Sequence, residues 1–128
     1  DLAGKAFNLL TEEEKKRCTI FCERNYGYAG AIHFYGEKYK LPQPITYHES
    51  YIFWAPDSIP WGPAIYINYE PGGMKEIFGE VTEIGTVNDP YFREKGVKVF
   101  LCRNPRVDVP DIYKADIKKE RERFTREN

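Results

Sequence analysis

Methionine and histidine are nearly missing from this chain of 128 residues: Met74 is the only Met, and His33 and His48 are the two His. Cysteine is scarce as well, at three residues, and no Cys-x-x-Cys pair occurs. With the histidines far apart, no zinc spacing is met, and neither a metal nor a cofactor is expected. The chain starts at Asp1 rather than Met, and no leader of basic residues, apolar run and small-residue cleavage site opens it. Asp1-Leu2-Ala3-Gly4 is expected to begin inside a longer polypeptide, the alternatives being Met removal or protease trimming. Charge of one sign is also lacking. Lys and Arg total 19 against 20 Asp and Glu, a net charge of −1, so no cationic field draws a phosphate backbone and nucleic acid is not expected as a partner. No apolar run approaches the ~18 residues of a membrane-spanning helix.

Aromatic residues are abundant instead, with 10 Tyr, 8 Phe and 2 Trp making 16% of the chain. Disordered segments are poor in aromatics, so a folded domain is expected. The length suits a single domain able to bury a core without staples.

Thr11-Glu12-Glu13-Glu14 opens a helix, with Thr11 and Glu14 spaced as a capping box. Residues 3–10 are expected to be the tail of a preceding helix or an apolar arm. They and residues 122–128 are assigned a peripheral or frayed place. Cys18–Cys22 reads as a strand, and Asn25 as the cap of a helix from Tyr26 to Tyr39. Leu41-Pro42-Gln43-Pro44 is a breaker, followed by a short strand over Ile45–Tyr47. His48–Trp54 reads as a loop and an extended segment, and Ala55–Pro63 as a surface loop.

Ala64–Tyr69 is continuously apolar, as in a strand covered on both faces. Met74–Phe78 is expected to be a short helix and Glu80–Val87 a strand, with Val81, Glu83 and Gly85 on one face and Ile84 on the other. Asn88–Tyr91 is a turn. Val97–Cys102 is a strand, and a last helix begins at Pro110 and frays after about Arg121. This alternation predicts an α/β domain, a three-layer sandwich with about five strands in a mixed, mostly parallel sheet flanked by helices. The last two strands are too close in sequence for a crossover and are expected to be antiparallel.

Two constellations stand out. Asn25-Tyr26-Gly27-Tyr28-Ala29-Gly30 follows a strand and starts a helix, where free N–H groups hold anions, although the glycine spacing fits neither nucleotide-binding fingerprint. His48 and Glu49, with Tyr51 and Trp54, follow another strand. Ligands of α/β sheets bind beyond the carboxyl ends of strands, where His and Glu suit proton transfer and the aromatics suit a sugar or ring. The structural alternative for each is ordinary: glycines for helix–sheet packing, His48 in a loop hydrogen bond, aromatics in the core. His33 is expected to be a satisfied helix residue. The cysteines are expected to be small buried side chains, with Cys102 able to pair with Cys22 or Cys18 in an oxidising compartment. The charged tail from Lys114 to Arg126 reads as a solvated helix face.

An ordered set of longer pieces carries a resemblance. Asn25-Tyr26-Gly27-x-Ala29-x-Ala31-x-x-Phe34-x-Gly36 is followed by Leu41-Pro42, Tyr47-His48-Glu49-Ser50-Tyr51, Trp54-Ala55-Pro56, Asn88-Asp89-Pro90-Tyr91 and Val99-Phe100-Leu101-Cys102-Arg103. Together they resemble the C-terminal soluble region of membrane glycosyltransferases, the family of dolichyl-phosphate-mannose protein mannosyltransferases and bacterial relatives such as the lipid A aminoarabinose transferase. The resemblance spans residues 11–113. Where relatives tend to read Ser-Gly-His-Asn, this chain has Thr46-Tyr47-His48-Glu49, and Ala55 replaces a Gly after Trp54.

The resemblance implies a parent that moves a sugar from a polyprenyl phosphate to an acceptor, with its catalytic carboxylates in the membrane part. This chain would then lie on the periplasmic or extracytoplasmic side. It would have no catalytic residue of its own and would touch a glycan or glycolipid acceptor and the transmembrane part. The candidate contacts are Asn25, Tyr26, Gly27, His48, Glu49, Tyr51 and Trp54. A free-standing α/β module for a small sugar or anionic ligand is the alternative, and a small hydrolase using His48 and Glu49 a weaker one.

Overall fold

A computed structural model describes residues 2–22, 41–42, 44–46, 55–87 and 96–127. The expected helix from Tyr26 to Tyr39, with His33, lies outside these residues, as do His48–Trp54 and the turn at Asn88–Tyr91. Among the described residues five strands form one mixed sheet: β1 (Thr19–Cys22), β2 (Pro44–Ile45), β3 (Ala64–Asn68), β4 (Phe78–Thr86) and β5 (Lys98–Pro105), in the order β2-β1-β3-β5-β4. β1 runs parallel to both β2 and β3, while β5 is antiparallel to β3 and to β4. Among the described residues the helices are α1 (Leu2–Asn8), α2 (Glu12–Lys16), α3 (Met74–Ile77) and α4 (Val109–Glu127).

The strand alternation divides the core into two layers. Ile20 and Cys22 of β1, Ile65 and Ile67 of β3, and Val99 and Leu101 of β5 meet Ala3, Ala6, Phe7 and Leu10 on one face. Ala64, Tyr66, Phe100 and Cys102 point to the other face, against Phe78 and the partly buried Met74, Ile77 and Val109. There Tyr113 and Ile117 of α4 pack with Ile45 and Ile59, and the Tyr113 ring lies 6.1 Å from that of Phe21. Helices therefore cover both faces, which explains why β3 reads as continuously apolar: Ala64–Ile67 is buried throughout.

The expectation of a peripheral first ten residues is corrected. Ala3 and Ala6 are fully buried, because their small side chains let α1 lie close on the sheet. Likewise α4 continues past Arg121 to Glu127, where Phe124 packs on the core around Tyr113 and Ile117. Pro44 belongs to β2 rather than to a breaker, since it opens an edge strand, where its missing N–H removes no central ladder bond. A bulge between Glu83 and Gly85 breaks the simple alternation expected for β4. Ile84 packs on the α1 side of the core, and a Cβ built on Gly85 would lie 2.9 Å from the Leu2 side chain on α1. Val81 packs on the other side.

The capping box is present as read: Glu14 N–H donates to Thr11 Oγ1 at 3.1 Å, and Thr11 N–H to Glu14 Oε1 at 3.0 Å. All three cysteines are free and buried. The sheet register removes the pairings considered for them. Thr19, Ala64 and Cys102 stand abreast on β1, β3 and β5. Two strand spacings of ~4.8 Å exceed the ~7 Å that a disulfide bridges. Cys22 lies further off along β1, and Cys18 and Cys22 are four residues apart on an extended chain.

Candidate functional site

Because β1, β2 and β3 are parallel and adjacent, their carboxyl ends share one edge of the sheet. Phe21 is in register with Ile45, and Cys22 with Ile67. The chain therefore leaves that edge after Cys22 and again after the buried Thr46, on neighbouring strands. β1 sits between β2 and β3, so the connection from β2 to β3 passes to the opposite side of β1. In open α/β sheets such a reversal of strand order creates a crevice beyond the carboxyl ends.

Asn25, Tyr26, Gly27, His48, Glu49, Tyr51 and Trp54 lie outside the described residues. The described residues place the two chain exits from which these positions follow, side by side.

At the carboxyl end of β3 a polar group appears that the sequence reading missed. Asn68 Nδ2 donates to Tyr66 Oη at 3.0 Å, and Tyr69 N–H donates to Asn68 Oδ1 at 2.8 Å. The Asn68 amide is thereby oriented, while Tyr69 is exposed. The turn after it closes through Gly72 at φ +56°, a backbone region that suits glycine. The available signal was an Asn and a Tyr at the end of the most apolar strand, where a ligand edge is expected.

The opposite edge is held by an ion pair. Arg103 at the far end of β5 donates from Nε to Glu14 Oε2 at 3.0 Å and from an Nη to Glu14 Oε1 at 2.6 Å. The guanidinium beside Glu14 holds its carboxyl below the usual value, helped by the Thr11 N–H, and Glu14 in turn raises Arg103. This contact ties α2 to the sheet.

None of the cysteines suits nucleophilic chemistry. Burial pushes the thiols of Cys18 and Cys102 up to about 12, with the Glu14 charge adding at Cys18, and burial raises Cys22 as well. They are protonated at neutral pH, and the thiolate is the nucleophile. Among the described residues, no three His, Cys, Asp or Glu gather as a metal site would need. No described helix is long and apolar enough to cross a membrane. An open concavity on α4 is lined by Arg121, Glu122, Thr125 and Arg126, but Arg121 is already committed to Asp57.

Comparison of the chain with protein families, with curated proteins and with solved structures finds no match.

Proposed function

We propose that this chain is the extracytoplasmic C-terminal domain of a membrane glycosyltransferase that uses a polyprenyl-phosphate sugar. It recognises the acceptor or shapes the entry to an active site in the membrane part, and does not transfer sugar by itself. One observation carries this reading: the motif pieces from Asn25 to Gly36, Tyr47 to Tyr51, Trp54 to Pro56 and Val99 to Arg103 occur in the family's order.

The sheet gives independent support for where contact would occur. The first two motif segments follow the carboxyl ends of adjacent parallel strands, the edge where α/β sheets bind ligands. In this reading Tyr26, Tyr51 and Trp54 offer ring faces to a sugar. Asn25, His48 and Glu49 offer hydrogen bonds, and Gly27 lets the backbone approach closely. In the same reading the aromatic residues of these segments serve a ligand.

The test is the reading frame that encodes the chain. Upstream of Asp1, the same frame is expected to specify many apolar segments, each of ~20 residues. A frame without them overturns the membrane-enzyme reading and leaves a free-standing module that binds a small sugar or anion at the same edge.

A further inference from the structure

We infer that α4 is a latch on the connection between β2 and β3, with Arg121 as its principal positioning residue. The inference stands apart from any ligand at the carboxyl edge. Parallel strands require this connection to return from the carboxyl end of β2 to the amino end of β3. Its described part, residues 55–63, has no helix or strand of its own; its last residue is tied by the backbone, Thr19 N–H donating to the Pro63 carbonyl at 3.2 Å, and side chains hold its start.

They do so at three consecutive residues. Arg121 donates from one Nη to the Ala55 carbonyl at 2.6 Å and from the other to Asp57 Oδ1 at 2.6 Å. The Tyr113 hydroxyl donates to the Pro56 carbonyl between them. Beneath, Ile59 and Ala55 pack with Tyr113 and Ile117.

The three contacts are unequal. The Asp57 side chain is 90% exposed and that of Arg121 is 25% exposed, so the ion pair is screened by water and contributes little. The bonds to the Ala55 and Pro56 carbonyls are part-buried, and an acceptor left without its donor there is costly. The planar guanidinium reaches two acceptors at once, which an ammonium does not reproduce. Burial pushes the Tyr113 phenol up to about 12, so it remains a donor at neutral pH. One consequence concerns residues 47–54. In sequence they run between the buried Thr46 and the latched Ala55, so Arg121 sets where their downstream end is held.

The experiment is backbone nitrogen relaxation on the whole chain, comparing wild type with Arg121→Ala, Tyr113→Phe and Asp57→Ala. Wild-type amides of Asp57, Ser58 and Ile59 are expected near an order parameter of ~0.85, falling below ~0.6 in Arg121→Ala while Ile65, Ile67 and Val99 stay unchanged. Tyr113→Phe keeps the ring and gives a smaller drop, and it carries the test alone if Arg121→Ala does not fold. Asp57→Ala changes little. Unchanged order in both latch variants overturns the inference, as does an equal loss throughout β3 and β5. A drop in Asp57→Ala as large as in Arg121→Ala overturns the primacy of the carbonyl contact.

Discussion

Glu14 serves two partners at once: it closes the capping box on Thr11 and accepts two bonds from Arg103, 89 residues away. Both side chains are partly exposed, so the pair is worth about 1 kcal/mol rather than the several of a buried pair. Its carboxyl is held below the ordinary 4.5. A depressed folded value means that the stabilisation is fully present above the unfolded value and is lost as pH falls through the folded one. Glu14→Gln is therefore expected to lower stability by about 1 kcal/mol at neutral pH, with the difference from wild type closing in acid. Urea unfolding midpoints of both proteins across pH measure this. A difference that persists unchanged well below the carboxylate range contradicts the assigned partner.

At the scale of elements, α1 and α4 decide the architecture, because each covers one face of the same sheet. Phe7 anchors α1 among Ile20, Ile65 and Leu101. Phe7→Ala is expected to cost about 3 kcal/mol in urea unfolding, and a loss below ~1 kcal/mol would show that α1 does not close the core. Elements written locally were legible in the sequence. Thr11 and Glu14 carry their own cap, and Ala64–Ile67 carries its burial in its composition. The antiparallel pairing of the last two strands followed from the short stretch between them.

What was not legible depended on partners remote in sequence. β5 extends through Arg103 to Pro105 because Glu80 and Phe78 pair with that end. A helix over residues 3–10 was one of the two readings, but the burial of α1 was not legible, because only the sheet gives Ala3 and Ala6 something to bury against. Arg121 read as one more solvated charge, since its acceptors are carbonyls of a segment with no motif of its own. For the candidate site, the strands that precede Asn25 and His48 were legible in their short β-rich runs, Cys18–Cys22 and Ile45–Tyr47, while their side-by-side pairing was not. The polar group of Asn68, Tyr66 and Tyr69 was not legible either: its contacts are local, but a strand ending in Asn and Tyr does not say that the Asn68 amide turns back to Tyr66 Oη.

At the scale of the whole molecule, the two sheet edges have different characters. The amino edge of the parallel strands is closed by α2, the Glu14–Arg103 pair and the approach of Gly62 to Arg17, where an added Cβ would overlap the Arg17 carbonyl. The carboxyl edge releases both family-like segments and carries the oriented Asn68 and exposed Tyr69. In the function proposed above, the domain offers its carboxyl edge to a sugar-bearing acceptor. The most direct test is sugar transfer from a polyprenyl-phosphate donor by the full-length parent polypeptide, with and without residues 11–113, at matched amounts of the membrane part. Transfer reduced at least tenfold is the predicted result, and full transfer by the shortened polypeptide would contradict an active role for this domain.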